Sequence, residues 1–474
     1  MEPTPLVSDR ASRAASPALA GQLALRLPVS APELAVEPEW KDQQRLWGHS
    51  FHPMCSYLAS FPAPLVHAFI ARYSRPGDVV LDPFSGRGTT PLQACAEGRV
   101  GVGNDLNPFA HLLTAAKVEP PTLAEARTRL AALRVGWASG AAEWQALAAQ
   151  VQAAATQAGT LIPRAGARTL PGEGVESVPA EVALSFHPRT LAQLLAVRTA
   201  LRLDERADRF LAGALTGILH GKSPSYLSGI MPNTFSMAPR YVRDFAARTA
   251  FAPPERDVFD LLERKLARLF RQPAPTTPGL ALLGDARDVA PRARVALRAR
   301  GLPDRARLVV TSPPYLRVVK YGYYNWLRTW LLGFDARAID AALDDAHHRA
   351  AYLVFLRDVL AGLRPLLTDD AVLVLVIGDV ETDRGRAIQD GIGLAERAWE
   401  SAAEPEGYRL AGIALDAIPA GRKMTRLWGD EAGRATKTDR ILVLGATEAG
   451  RRRALAGAAA PVDWTWPQRR LRAL

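Results

Sequence analysis

Residues Val79 to Thr90 read Val-Val-Leu-Asp-Pro-Phe-Ser-Gly-Arg-Gly-Thr-Thr, an apolar strand that runs into a glycine-containing turn and then a helix. Thr90 is expected to cap that helix, Pro91 fits its first turn, and Gly98 is a stop signal. Gly86 and Gly88 let the backbone approach a ligand closely. Because Pro91 stands where a dinucleotide fingerprint has its third glycine, the pattern disfavours an NAD-dependent oxidoreductase.

The chain repeats this strand-and-turn rhythm further along. Further strands are predicted at 100–103, 280–283, 308–311, 371–377, 408–418 and 441–444. The last two are joined without a helix, which indicates an antiparallel closing pair. Asp105 follows the second strand, where a carboxylate can bind a ribose hydroxyl pair; a solvated turn residue is the alternative. The third strand also ends in a carboxylate, Asp285.

The α/β rhythm stops between the second and third strands. Helices are predicted near 122–157, 189–203, 206–219 and 255–271, with a Gly-Pro-rich linker at 159–179. The polar, basic and aromatic loop between them contains Lys222, Tyr226, Asn233 and Arg240. This mixture suits phosphate and base contacts, although an ordinary surface loop fits equally well.

A second constrained stretch, Val309 to Tyr315, reads Val-Val-Thr-Ser-Pro-Pro-Tyr at the end of the fourth strand. The two prolines hold the backbone extended and offer no N–H. The Ser312 hydroxyl and the Pro313 carbonyl are then acceptors suited to a planar amine, and Tyr315 offers a flat face. The alternative is a stiff loop entry with a half-buried tyrosine. In the aromatic, basic run that follows, Trp326 and Trp330 are expected in the core.

The overall composition indicates an intracellular protein, expected in the cytoplasm. The 474 residues are 48% hydrophobic and carry a net charge of +11, which favours polyanionic partners such as nucleic acid. Two cysteines exclude a disulfide framework and a cysteine-rich zinc site, and no metal is expected. No apolar run reaches the roughly 20 residues that cross a bilayer.

Together, the stretch from Asp82 to Thr90 and the stretch from Thr311 to Tyr315 resemble the two signature motifs of the S-adenosylmethionine-dependent amino methyltransferases of DNA. The resemblance implies a seven-stranded, mostly parallel Rossmann-like sheet with an antiparallel closing strand and a mainly helical insertion. It implies that S-adenosylmethionine is bound by Asp82, Pro83, Phe84, Ser85, Gly86, Gly88, Thr89, Thr90, Asp105, Leu106, Asp285, Ala286 and Thr311. Catalysis is implied for Ser312, Pro313, Pro314 and Tyr315.

Ser312 makes the second motif similar to that of the cytosine-N4 enzymes, because Asp or Asn usually stands there in the adenine-N6 enzymes. The expected activity is therefore methylation of the N4 amine of cytosine in a specific duplex DNA sequence, with the base flipped out. Adenine-N6 methylation is the alternative, followed by a non-catalytic DNA-binding protein that keeps the fold. In many cytosine-N4 enzymes the Ser-Pro-Pro-Tyr motif comes first, whereas here the glycine turn does.

The expected partners are double-stranded DNA and a restriction endonuclease counterpart in the cell, without a membrane partner. DNA contacts are predicted for Lys222, Tyr226, Asn233, Arg240, Lys320, Tyr321, Arg422, Lys423 and Arg426. The chain divides into a flexible N-terminal segment (1–40), a first catalytic part (41–120), a helical insertion that includes the target-recognition region (121–279), a second catalytic part (280–450) and a basic tail (451–474).

Overall fold

The structure is a computed structural model that describes residues 32–36, 38–44, 46–57, 60–157, 178–229, 239–314, 321–343, 349–380, 393–417 and 435–465. The strands are β1 (Val79–Asp82), β2 (Val100–Asp105), β3 (Leu280–Leu283), β4 (Ala306–Thr311), β5 (Leu367–Val380), β6 (Arg409–Ala417) and β7 (Ala435–Gly445). They form one sheet in the order β3-β2-β1-β4-β5-β7-β6. Strands β1 to β5 run parallel, and β7 is antiparallel to both β5 and β6. The predicted mostly parallel sheet with an antiparallel closing strand is confirmed.

Helices cover both faces of this sheet and fill the insertion. They are α1 (Ala63–Tyr73), α2 (Thr89–Ala96), α3 (Pro108–Val118), α4 (Leu123–Ser139), α5 (Ala141–Gln157), α6 (Ala180–Ser185), α7 (Pro188–Ala200), α8 (Arg206–Thr216), α9 (Pro239–Thr249), α10 (Val258–Leu269), α11 (Val289–Ala299), α12 (Tyr321–Tyr324), α13 (Trp326–Leu332), α14 (Ala336–Ala342), α15 (Arg349–Leu363), α16 (Leu394–Ala398) and α17 (Glu448–Ala458). The helical character predicted for the insertion is confirmed by α4 to α10.

Side chains that alternate along the strands build a separate core on each face of the sheet. Val79 and Leu81 pack in one buried cluster, while Val80 between them packs in the cluster on the opposite face. The insertion forms a third cluster together with α3, residues near Phe51, and Trp326 and Trp330. The two tryptophans are therefore core residues, as predicted, and the insertion shares its core with the rest of the chain.

Helix α2 lies unusually close to β2 because two glycines of that strand face it. A Cβ on Gly101 would lie 2.0 Å from the carbonyl oxygen of Pro91, and a Cβ on Gly103 would lie 3.1 Å from the Pro91 ring. The backbone contact at Gly101 leaves no room for a side chain, and the contact of Gly103 with the Pro91 ring is tighter than usual. In a dinucleotide fingerprint, the third glycine lies on the helix and allows the helix to pack closely on the strand. Here the glycines that allow this close packing lie on the strand β2.

The cap expected for α2 is wrong, and the two terminal segments pack in part on the sheet. Gly88, at φ 77°, is the N-cap residue of α2, and Thr90 lies within the helix with its hydroxyl bonded elsewhere. The N-terminal segment is ordered in part, because Leu34 and Trp40 are buried and Leu34 N–H donates to the carbonyl of Ile413 on the edge strand β6. The C-terminal tail begins inside a helix, α17, which packs on the sheet. Its Arg453 guanidinium donates to the carbonyls of Asp370 and Tyr73.

No described helix is both long and apolar enough to cross a membrane. Among the described residues, no group of three or more His, Cys, Asp or Glu side chains could hold a metal ion.

Candidate functional site

The carboxyl ends of β1 and β4 meet where the strand order of the sheet reverses, which is where open α/β sheets bind ligands. Asp82 ends β1, and its Oδ1 accepts a hydrogen bond from Thr311 Oγ1 at 2.6 Å and from Phe84 N–H at 3.1 Å. Thr90 Oγ1 donates to the Val310 carbonyl at 3.0 Å. The two sequence motifs, although far apart in the chain, are therefore joined directly by side-chain hydrogen bonds.

The glycine turn after β1 is held by the acid that ends β2. Gly86 adopts φ 50°, and its N–H donates to Asp105 Oδ2 at 2.8 Å. Asp105 Oδ1 accepts from Asn107 N–H at 2.9 Å. Gly88 differs, since a Cβ there would lie 2.9 Å from the Thr114 Cα atom. Its missing side chain thus allows close packing against α3, and the ligand approach expected at this glycine stays a prediction.

Asn104, on β2, is hydrogen-bonded to the turns that follow β1 and β3. Its Nδ2 donates to the Pro83 carbonyl at 3.1 Å and to the Gly284 carbonyl at 2.9 Å. Its buried Oδ1 accepts no hydrogen bond from the described residues. Asp285, after β3, accepts from the Arg287 guanidinium, with 2.6 Å between Oδ2 and the nearest nitrogen. The carboxylates of Asp105 and Asp285 and the Asn104 amide oxygen together form an acceptor set for a ligand with hydroxyl and amine donors.

Both carboxyl groups at the ends of β1 and β2 have raised pKa values. Burial raises the pKa of Asp82 to about 7, against the opposing hydrogen bonds from Thr311, Phe84 and Thr90. Burial likewise raises the pKa of Asp105 to about 6, although the N–H groups of Asn107 and Gly86 favour its ionised form. Two acids that titrate near neutrality in one crevice are typical of a functional site.

The Asp82 carboxyl predicts a pH dependence of stability. Because the folded protein holds this proton more tightly than the unfolded chain, protonation stabilises the fold. This contribution is full below the unfolded pKa of 3.8 and is lost as pH rises through about 7. We expect the free energy of unfolding of the wild type, relative to Asp82→Asn, to fall by up to about 4 kcal/mol from pH 4 to 8. Urea titrations across this pH range measure it, and a pH-independent difference would contradict it.

The Ser-Pro-Pro segment leaves β4 beside β5. Ser312 is half-buried and donates its hydroxyl proton to the Val376 carbonyl at 3.0 Å. With its proton engaged, the Ser312 oxygen is left with lone pairs that can only accept. Pro313 is buried and Pro314 half-buried, whereas Tyr315 lies outside the described residues.

The remaining predicted cofactor residues lie around the same turn. Phe84 is half-buried, with its ring centroid 5.8 Å from that of Phe355, and Ser85 Oγ lies 3.0 Å from Thr114 Oγ1. Thr89 Oγ1 accepts from Arg87 Nε at 3.3 Å. Pro83 and Ala286 are buried, and Leu106 is half-buried next to Asp105. All of these residues belong to the turns at the carboxyl ends of β1, β2 and β3.

Two tyrosines form a wall of the site that the sequence did not reveal. The ring of Tyr57 would lie 3.6 Å from a Cβ on Gly86, and its hydroxyl accepts from Asn107 Nδ2 at 3.0 Å. Tyr321 stacks on Tyr57 with ring centroids 5.7 Å apart and planes 17° apart. We call these two residues the tyrosine pair. Tyr57 lies in a loop well upstream of β1, where no periodicity indicates its position.

Four of the predicted DNA-binding residues lie in the part of the chain that the structure describes, and the others lie outside it. Lys222 is exposed in the loop after α8, and Tyr226 in the same loop packs on Gly221. Tyr321 belongs to the tyrosine pair, and Arg240 lies in α9. The others, Asn233, Lys320, Arg422, Lys423 and Arg426, lie outside the described residues.

Comparisons with known proteins match the part of the chain that carries the glycine turn. Residues 32–116 match the sequence model of a family described as DNA methylase. The type II methyltransferase M.MjaII of Methanocaldococcus jannaschii is 37% identical over 71 residues, which are 15% of this chain and 13% of that protein. M.Cfr9I of Citrobacter freundii, another type II methyltransferase, is 36% identical over 70 residues, 15% of this chain and 23% of the relative.

A third type II methyltransferase, M.XycI of Xanthomonas campestris pv. cyanopsidis, is 34% identical over 80 residues, 17% of this chain and 27% of the relative. The chain thus matches less than a third of the length of each of these relatives. Among solved structures, the rRNA methyltransferase aviRa from Streptomyces viridochromogenes aligns over 87% of this chain and 96% of its own, with a TM-score of 0.29 and 13% identity. At this TM-score and identity, the similarity supports no conclusion about this chain.

The matched segment spans β1, the glycine turn and Asp105, which are the parts that carry the first of the two motifs. Over this part of its length, the chain is similar to a family of DNA methylases and to three type II methyltransferases.

Proposed function

We propose that the protein transfers a methyl group from S-adenosylmethionine to the N4 amine of cytosine in a specific sequence of duplex DNA. The observation that carries this proposal is the bond between Thr311 Oγ1 and Asp82, because it fixes the Ser-Pro-Pro segment beside the glycine turn. A methyl donor in the turn and an amine at Ser312 would then be neighbours. Catalysis by such an arrangement is mainly positioning.

The residues around the glycine turn fit S-adenosylmethionine. Asp105 and Asp285 offer carboxylates to ribose hydroxyls and to the adenine amine, and the Asn104 Oδ1 atom is a buried acceptor that the described residues leave unpaired. Tyr57 covers Gly86 at the open side of the turn. When bound there, S-adenosylmethionine supplies an electrophilic methyl group on a sulfonium.

Ser312 and Pro313 would hold the target amine through their oxygens. The exocyclic nitrogen of cytosine is a poor nucleophile because its lone pair is conjugated with the ring. Accepting its two N–H groups at Ser312 Oγ and at the Pro313 carbonyl favours a pyramidal nitrogen with a free lone pair. Since the Ser312 proton is already donated to Val376, this hydroxyl is poised to accept. A serine is a weak base, so the amine proton leaves to water after transfer.

The target base would reach these groups only when rotated out of the duplex, because the amine is inaccessible inside the stack. We assign the stacking of the flipped base to Tyr315. DNA would lie along the carboxyl edge of the sheet, and we assign a phosphate contact to Lys222, which is exposed in the loop after α8. The choice of cytosine over adenine rests on Ser312, and adenine-N6 methylation is the alternative product. A restriction endonuclease of the same sequence specificity is the partner that this activity suggests.

The test is incubation of the protein with labelled S-adenosylmethionine and mixed-sequence duplex DNA, followed by nucleoside analysis. N4-methylcytosine is the expected product. N6-methyladenine would overturn the base assignment while leaving the amino-methyltransferase proposal intact. If the protein binds S-adenosylmethionine but labels no DNA under any of these conditions, the proposed substrate is wrong.

A further inference from the structure

Arg328 is a buried arginine that joins three separate parts of the chain. It lies on α13 with 3% of its surface exposed. Its guanidinium donates to Ser56 Oγ at 2.7 Å, to Asn325 Oδ1 at 2.7 Å and to the Thr216 carbonyl at 3.3 Å. These acceptors belong to the loop before α1, to the start of α13 and to the end of the insertion helix α8.

Two of these three acceptors lead directly to the tyrosine pair. Ser56 immediately precedes Tyr57 in the chain. Asn325, oriented by Arg328 through its Oδ1, donates its Nδ2 to the Tyr321 carbonyl at 2.8 Å. Arg328 therefore fixes the backbone on both sides of the stack formed by Tyr57 and Tyr321.

The tyrosine pair is connected by hydrogen bonds to Asp105, the acid that the proposed function assigns to the ribose. The Tyr57 hydroxyl accepts from Asn107 Nδ2, and the Asn107 N–H donates to Asp105 Oδ1. Burial raises the pKa of the Tyr57 phenol well above its usual value, so this hydroxyl stays neutral at physiological pH. A continuous set of contacts thus runs from the Arg328 guanidinium to the carboxylate of Asp105.

All three hydrogen-bond acceptors of Arg328 among the described residues are neutral oxygens. A buried charge is costly unless it is fully hydrogen-bonded, and an apolar side chain would fill the same volume without that cost.

Arg198 is a second buried arginine in the same core, and it makes different contacts. It is 2% exposed, donates to the Trp330 carbonyl on α13 and lies 5.2 Å from the Trp330 ring. These two contacts with Trp330 support α13 and involve neither Ser56 nor Asn325.

We propose that Arg328 is a positioning residue of the cofactor site, which holds the tyrosine pair over the glycine turn and links it to the insertion through α8. The proposal rests on the proposed function, since it takes the glycine turn as the S-adenosylmethionine site. Loss of the guanidinium frees the backbone beside both tyrosines and so weakens binding of the cofactor more than it slows the chemical step.

The experiment measures KM for S-adenosylmethionine, kcat and thermal stability for the wild type, Arg328→Met, Arg328→Lys, Ser56→Ala and the control Arg198→Met. Arg328→Met is expected to raise KM by about tenfold, since it removes charged hydrogen bonds, with a smaller change in kcat. Arg328→Lys recovers part of this loss. Ser56→Ala, which removes a single acceptor, raises KM by about threefold and lowers Tm less than Arg198→Met does. Arg198→Met lowers Tm and leaves KM unchanged.

The inference is overturned if Ser56→Ala and Arg328→Lys both keep the wild-type KM, or if Arg198→Met raises KM as much as Arg328→Met does. Should Arg328→Met fail to fold, the Ser56→Ala and Arg328→Lys variants still decide the question. Failure of the proposed function looks different, because the wild type itself would then neither bind S-adenosylmethionine in calorimetry nor methylate DNA.

Discussion

Gly101→Ala is expected to destabilise the protein by about 3 kcal/mol or more, the range of a severe overpacking defect. The added Cβ would lie 2.0 Å from the Pro91 carbonyl oxygen, 2.7 Å from its carbon and 2.8 Å from its Cα. All three are backbone atoms of α2, so no side-chain rotation can relieve the contact. Relief requires α2 to move away from β2, which would also disturb the glycine turn that precedes α2.

Chemical denaturation of the wild type and the variant measures this effect, and Gly136→Ala is the matched control. Gly136 lies in α4 with no atom within 4 Å of an added Cβ. Since alanine favours a helix over glycine, the control should be stabilised by about 0.5–1 kcal/mol. Equal stability of Gly101→Ala and the wild type would show that α2 and β2 are not packed as described.

Gly101 also shows what a motif can and cannot tell. The position of Pro91 disfavours a dinucleotide fingerprint, because proline cannot replace the third glycine. The packing that the glycine would have allowed exists nevertheless, with the small residue on the strand. A motif defined within the turn and helix contains no information about the facing strand, so this exchange is visible only once β2 is placed.

Strands were predictable because their apolar runs are short, bounded and buried, as in β1 and β4. The hydrogen-bond partner of the Thr90 hydroxyl was not predictable, because a threonine near the start of a helix has two competing acceptors or donors. It was expected to cap α2, whereas Gly88 takes the N-cap position and the Thr90 hydroxyl donates to Val310 on β4. Rules for helix caps predict a partner within the helix. The Val310 carbonyl lies on a distant strand, so it becomes known only once the sheet is assembled.

The site was predictable as far as its residues stand at the ends of strands. Asp82, Asp105, Asp285 and Ser312 each follow an apolar run, so the topology of the sheet brings them to one edge. Tyr57 and Arg328 reach the same edge from loops and helices whose sequence shows no such regularity. Their contacts join residues far apart in the chain, and nothing short of the packed structure brings these residues together.

Ser312→Ala is the second change with a large expected effect, here on activity. It removes the oxygen that we assign to the target amine, and we expect kcat to fall by about 100-fold, as for the loss of one preorganised hydrogen-bonding group in an active site. KM for S-adenosylmethionine should stay within about twofold, because the hydroxyl of Ser312 bonds the Val376 carbonyl and, among the described residues, makes no hydrogen bond to Asp82, Asp105 or the glycine turn. Single-turnover methylation of duplex DNA measures the chemical step directly.

Ser312→Asn provides the control, because its side-chain oxygen keeps an acceptor at this position while its amide can still donate to the Val376 carbonyl. We expect this variant to be more active than Ser312→Ala, and a shift of its product toward N6-methyladenine would show that residue 312 selects the base. Thermal stability separates this from a folding effect, since the unpaired Val376 carbonyl in Ser312→Ala costs only about 1 kcal/mol. If Ser312→Ala retains wild-type kcat, the serine is a structural tie between β4 and β5, and the amine must be held by other groups.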